Sequence, residues 1–143
     1  AAGDIEGVAL RYGFYYGPGT WYHPDGASAD LVRRQQIPVI GDGGGVWSWV
    51  HIDDAAVATA DALTIPPGVY NVVDDDPSPV SAWLSAFARA VGAPPPPRVT
   101  IEQALATAGE DAVYYGTRLR GATNAKAKRV FGFRPRRLEW PTT

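Results

Sequence analysis

The 143-residue sequence has no cysteine and no methionine. Without cysteine there is no disulfide and no thiolate-bound metal, so packing alone must hold the fold. The same absence leaves the compartment open, with the cytoplasm as the default expectation. No apolar run approaches the ~20 residues that carry a helix across a bilayer, and no charged-then-apolar leader opens the chain. Ala1-Ala2-Gly3-Asp4-Ile5-Glu6 leads straight into a strand-like Gly7-Val8-Ala9-Leu10-Arg11-Tyr12. That opening, with no starting methionine, reads as a chain entered in mid-fold.

Histidine is scarce too. His23 and His51 lie far apart in the sequence, whereas zinc takes three or four ligands, so no metal site is expected. His51 is expected to pack and hydrogen-bond at a strand-to-helix corner. No serine sits in the G-x-S-x-G elbow of a hydrolase. The glycines at 41–45 lack the Lys-Ser/Thr of a phosphate loop and precede a strand, so they read as a turn.

Charge of one sign is scarce in each part of the chain. Residues 1–117 hold five basic and fourteen acidic side chains, and residues 118–143 hold eight basic and one acidic. A basic end can meet nucleic acid. Here no nucleic-acid motif accompanies it, and the favoured reading is a solvated face or one that docks on the acidic part of the fold. A hydrophobic share of 45% and a charged share of 20% suit one globular domain with a real core.

What is present alternates between strand and helix. Val8 to Leu10 reads as a strand buried on both faces, followed by a glycine-proline loop. Residues 27–36 read as a helix with Leu31 and Val32 inward, and Ile37 to Ile40 as a short extended piece. Val46 to Ile52 reads as a single alternating strand, leading into a helix capped by Asp53 or Asp54 and running to about Leu63. Val69 to Val73 is a further strand. Asp74, Asp75 and Asp76 are expected to cap the next helix rather than form a carboxylate site. That helix runs from Val80 to Val91, places Val80, Trp83, Leu84, Phe87 and Val91 on one stripe, and stops at Gly92. Pro94 to Pro97 form a stiff connector. A helix over 101–115 and a short one over 123–131, capped by Thr123 or Asn124 and stopped by Gly132, complete an α/β pattern.

Aromatic residues carry the functional signal. Tyr12, Phe14, Tyr15, Tyr16, Trp21, Tyr22, Trp47 and Trp49 fall in two short segments. Ligands of open α/β sheets bind beyond the carboxyl ends of the strands, and aromatic-lined concavities suit small molecules. About half of these rings are expected to be core.

Leu10-Arg11-Tyr12-Gly13-Phe14-Tyr15-Tyr16-Gly17-Pro18 resembles the L-R-Y-x-N-x-Y-G-P segment of extended short-chain dehydrogenases, the NAD-dependent epimerase/dehydratase family. Val46 to Ala55 (VWSWVHIDDA) resembles that family's V-x-x-[YFW]-[IV]-H-V-x-D-x-A. Gly68-Val69-Tyr70-Asn71-Val72 is similar to its G-x-Y-N-[IV] strand, and Asn124 to Pro135 to its D-x-S-K-A-x-x-x-L-G-[WF]-x-P. The four segments occur in the family's order. The resemblance implies the C-terminal part of a Rossmann-type NAD(P)-binding fold with the small substrate-binding lobe, here spanning residues 1–143. The N-terminal cofactor lobe would then be a missing partner, and a homodimer is compatible with the family.

By resemblance, Tyr12 and Gly13 face the nicotinamide of NAD or NADP, while Phe14, Tyr15, Tyr16, Trp47 and Trp49 face a small-molecule substrate. No catalytic residue is assigned, because no tyrosine has a lysine four residues on and no glycines fit G-x-x-G-x-x-G. Two departures shape the substrate expectation. Phe14 stands where the family often has asparagine. Trp47 stands where nucleotide-sugar enzymes often have a phosphate-binding arginine, and a neutral indole cannot neutralise a diphosphate. The expected function is therefore the substrate-pocket portion of an NAD(P)-dependent oxidoreductase or epimerase acting on a small carbonyl or alcohol. The alternative is a non-catalytic ligand-binding or regulatory protein that lost the cofactor lobe. A basic-tailed interaction module ranks last. Absence of that lobe is expected to bare one face of Val8–Tyr12 and the apolar faces of the 69–73 strand, which favours association.

Overall fold

Gly13 lets one extended stretch of chain serve two ladders. In the computed structural model, which describes residues 5–140, β1 (Val8–Tyr12) runs into β2 (Phe14–Tyr16) through that single residue. The Gly13 amide donates to the Val72 carbonyl at 3.0 Å, and the next amide, on Phe14, donates to the Ser48 carbonyl at 2.9 Å. A Cβ on Gly13 would lie 2.6 Å from the Ser48 oxygen, so only glycine fits. The opening residues Ala1 to Asp4 lie outside the described residues.

Helix α1 (Ala27–Arg33) follows. It ends before residue 36 because Gln35 turns to φ 55°. Then come β3 (Val39–Ile40), β4 (Val46–Trp47) and β5 (Trp49–His51). The single strand expected over 46–52 is thus cut at Ser48. The Ser48 carbonyl turns to Phe14, and its hydroxyl accepts the Ala122 amide at 2.8 Å. Helix α2 (Ile52–Asp61), with a 3-10 turn at Ala62–Thr64, is capped by His51 rather than by an aspartate. The His51 Nδ1 accepts the Asp53 amide at 3.1 Å, while Asp54 is held by Arg136.

Strand β6 (Gly68–Val72) pairs in parallel with β1, and β5 pairs in parallel with β2. Strand β7 (Ser78–Pro79) runs antiparallel to β4 and leads into α3 (Val80–Ala90). The aspartates at 74–76 do not cap α3. Its first amides, on Val80 and Ser81, donate to the carbonyls of Gly45 and Gly43, which is what the glycine turn supplies. A Cβ at Gly45 would meet the Tyr115 carbonyl at 2.3 Å. Strand β8 (Arg98–Val99) pairs in parallel with β3. The helix expected over 101–115 is two, α4 (Ile101–Thr107) and α5 (Gly109–Thr117), because Gly109 takes φ 89° between them. Helix α6 (Ala125–Phe131) closes the order, with Gly132 in the left-handed conformation after it. Among the described residues no helix is long and apolar enough to cross a membrane.

The main core gathers Tyr16, Trp49, Trp83, Leu84, Phe87 and Trp140. The expected stripe of α3 is buried as written. A second cluster joins Leu10 and Tyr12 of β1 to Ala55 and Ala58 of α2, Ala127 of α6 and Phe133. It covers one face of β1 only. Ala9 and Arg11 point the other way and are exposed, as is Val69 of β6 at 42%. Strand β1 is therefore not buried on both faces within the described residues, and its ladder has two strands.

The basic end meets the acidic part of the chain. Arg136 grips Asp54 through Nε and Nη2 at 3.1–3.3 Å and donates its amide to the same carboxylate at 2.9 Å. Arg137 reaches Asp76 at 2.9 Å, and Lys128 reaches Asp75 at 2.7 Å. Exposed pairs of this kind contribute only ~0–1 kcal/mol each. Burying Leu138 and Trp140 contributes ~1.5–3 kcal/mol per large side chain, so the ion pairs set the tail's path and the apolar residues hold it.

Asp74 is 2% exposed, and its Oδ2 has no hydrogen-bond partner. Burial, and then the neighbouring carboxylates of Asp76, Asp75 and Asp54, push its pKa up to about 7. The unfolded chain releases this proton at an ordinary aspartate pKa, so the native state binds more protons between the two values. Stability from this group is therefore present below the unfolded pKa and falls as pH rises to about 7. Asp74→Asn keeps the acceptor for the Asp76 amide. It is expected to raise the melting temperature at pH 8 and to lose that advantage by about pH 4, as read from thermal melts across pH. Gly13→Ala is expected to cost ~1–3 kcal/mol through overpacking, measured by denaturant unfolding at fixed pH.

Candidate functional site

Phe14 lines three clefts. Strand β2 holds Phe14 half-buried, where it stacks on Trp47 of β4 with ring centroids 3.8 Å apart and planes 20° apart. The Trp47 indole is fixed from behind, because its Nε1 donates to the Tyr115 carbonyl at 2.9 Å. Trp83 packs against it at 4.7 Å. Together with Ile37, Ile40 and Tyr115, these rings line an apolar cavity of about 410 Å³ between α3 and the α4–α5 pair. A second cleft, of about 530 Å³, lies under Tyr15, Trp21, Tyr22 and Ile52. The third, of about 550 Å³, is the most polar of the three. Arg11, Tyr12, Gly13, Ser48, Asn71 and the loop at 119–123 line it, and it too reaches Phe14.

The residues expected at a site separate into two sets. Tyr12 and Gly13 border the polar cleft, Tyr15 the second cleft and Trp47 the apolar cavity. Tyr16 and Trp49 are placed otherwise: both are 0% exposed inside the main core, so they brace the wall and offer no surface to a solute. Tyr16 packs edge-on to His51 and Trp140 and donates its hydroxyl to the Arg137 carbonyl at 3.1 Å. Trp49 stands edge-on to Trp83 and Trp140. Tyr115, Ile37 and Arg120 enter from segments to which their sequence pattern gave only a helical, extended or charged character. Neither aromatic spacing nor any motif marks them.

Proton chemistry by these phenols is not favoured. Burial pushes the Tyr15 and Tyr22 hydroxyls up, and burial followed by the nearby Asp74 and Glu139 carboxylates pushes Tyr16 up further. A tyrosine that gives up its proton near neutrality needs the opposite shift. The Tyr12 hydroxyl is hydrogen-bonded to that of Thr59. His51 is spent on the α2 cap, with Nε2 3.6 Å from a Glu139 carboxylate oxygen. Among the described residues no three His, Cys, Asp or Glu side chains converge as a metal site would require.

No protein-family model matches the chain. The chain is 38% identical over 141 residues to a 3-diazoavenalumate denitrifying reductase from a Streptomyces species, covering 98% of itself but 46% of that protein. It superposes on the UDP-glucose 4-epimerase of Thermus thermophilus, solved with NAD, with a TM-score of 0.58 and 28% identity, over 90% of this chain and 41% of that one. The NAD-bound dTDP-glucose 4,6-dehydratase of Streptomyces venezuelae gives a TM-score of 0.67 at 20% identity, over 94% of this chain and 40% of that one. The chain thus spans less than half the length of the proteins it matches. Its fold is α/β with parallel strands, that of the C-terminal portion of Rossmann-type epimerases and dehydratases.

Proposed function

We propose that this chain forms the substrate-pocket portion of an NAD(P)-dependent oxidoreductase acting on a small, flat, largely apolar substrate rather than a nucleotide sugar. The observation that carries the reading is the Phe14–Trp47 stack at 3.8 Å, held by the Tyr115 carbonyl, which gives the apolar slot of the cavity a flat aromatic wall. A slot of that kind binds through dispersion and ring contact and offers a diphosphate no cation. A relative named as a reductase of a diazo compound supports a reductive reaction on a small organic molecule.

The cofactor side of the site is Tyr12 and Gly13. The open polar cleft beside them has room and hydrogen-bonding groups for a nicotinamide end, although the bare backbone of Gly13 is already demanded by Ser48. NAD or NADP would supply or accept a hydride there, while the chain's own residues shape and dehydrate the substrate side. The diphosphate needs a glycine-rich turn at a helix N-terminus, and these 143 residues contain no such spacing. The catalytic Tyr-x-x-x-Lys pair and the cofactor cradle are accordingly assigned to a Rossmann lobe outside this chain. The open face and edge of β1 support that assignment, since parallel strands occur in larger sheets covered on both faces.

Two outcomes are expected. Tryptophan fluorescence of the chain is quenched on titration with 2-naphthol and unaffected by UDP-glucose, and Trp47→Arg weakens the naphthol response by roughly two- to tenfold, the order of a lost aromatic contact. Saturable binding of UDP-glucose by the unmodified chain would remove the reading. Size-exclusion chromatography is expected to show concentration-dependent association through the bare β1–β6 face, reduced by Val69→Lys. A monomer at every concentration would count against a missing lobe.

A further inference from the structure

The polar cleft contains two cations with no internal task. Among the described residues Arg11 and Arg120 make no ion pair and no side-chain hydrogen bond, whereas Arg136, Arg137 and Lys128 are each matched to a carboxylate. Their placement is built rather than incidental. Arg11 of β1 is the register partner of Asn71 on β6, so both side chains rise from the same open face. The Asn71 Nδ2 donates to the Thr123 carbonyl at 3.1 Å, the Ser48 hydroxyl accepts the Ala122 amide at 2.8 Å, and the Val46 amide donates to the Leu119 carbonyl at 2.7 Å. Three bonds therefore fix the 119–123 loop that carries Arg120 against β4, Ser48 and β6, the strand paired with β1. Arg11 and Arg120 both line one cleft, with no acidic residue in its wall.

We propose that this cleft is an anion subsite and that the ligand is a flat aromatic carboxylate, its ring against the Phe14–Trp47 slot and its carboxylate between Arg11 and Arg120. The proposal rests on the aromatic-slot reading above and extends it to the substrate's polar end. A guanidinium matches a carboxylate in shape and gives charge-assisted hydrogen bonds roughly twice as strong as neutral ones. Placed beside apolar rings, a cation pair selects a ligand that carries both a ring and an anion over a neutral arene. Phe14 lines both clefts, and the proposed ligand spans them there, its carboxylate at the Arg11 and Arg120 end, away from the nicotinamide at Tyr12 and Gly13.

The test compares two probes of nearly equal shape, 2-naphthoate and 2-naphthamide, by tryptophan fluorescence titration at low and high salt. The ratio of their affinities is read within each variant. The unmodified chain is expected to prefer the carboxylate by roughly tenfold or more, in keeping with hydrogen bonds to a charged group, with the preference shrinking at high salt. Arg11→Gln and Arg120→Gln are each expected to reduce the ratio, and the double variant to bring it near one. Equal binding of the two probes by the unmodified chain, or a preference that survives the double variant, overturns the anion subsite and leaves the aromatic slot standing. Binding of neither probe overturns both.

Discussion

Everything at the site depends on the transfer of hydrogen bonds at Gly13. Up to Tyr12 the strand belongs to β6; from Phe14 it belongs to β5. The Gly13 and Phe14 amides turn to Val72 and Ser48 in succession. A parallel ladder has evenly spaced bonds and no natural exit, so the change of partner needs a residue that approaches the other backbone closely. With a Cβ 2.6 Å from the Ser48 oxygen, any larger residue would push β2 off β5. Phe14 would then leave the face of Trp47. The same Ser48 cuts β4 from β5 and pins the 119–123 loop, so one serine and one glycine set the positions of the aromatic slot and of the polar cleft.

Long-range charge is used to direct the chain more than to stabilise it. The sequence keeps its acids early and its bases late, and the fold brings them together along one strip, with Asp54, Asp75 and Asp76 meeting Arg136, Lys128 and Arg137. This lays Leu138 and Trp140 onto the core beside Tyr16 and Phe87. Asp74 is the member of the run left without a cation, and its burial, with the carboxylates beside it, raises its pKa. Arg11 and Arg120 are among the cations that meet no carboxylate in the described residues, and these two line one cleft.

Element type was legible from periodicity almost throughout. The α3 stripe, the β6 strand and the left-handed stop at Gly132 follow from local rules that tertiary packing did not override. What was not legible depended on partners distant in sequence. The break at Ser48 is made by Phe14 and Ala122, and the α2 cap passes to His51 because Arg136 draws Asp54 away. The split of 101–115 is the local exception, since a glycine within a helical pattern is weak evidence for a break. Among the aromatic residues, sequence proximity could not separate wall from core. Phe14 and Tyr16 share one face of β2, but Trp140, from the far end of the chain, packs on Tyr16 and Trp49 and leaves Phe14 and Trp47 at the cavity.

The central claim is a division of labour, in which these residues form the substrate wall while the cradle for the cofactor's diphosphate lies outside them. Calorimetric titration of the folded 143-residue chain with NAD, NADP and their reduced forms tests it most directly. The account predicts no saturable heat for any of the four, because Tyr12 and Gly13 alone cannot hold a dinucleotide. Binding in the micromolar range would contradict it, since it would require a phosphate site within this chain.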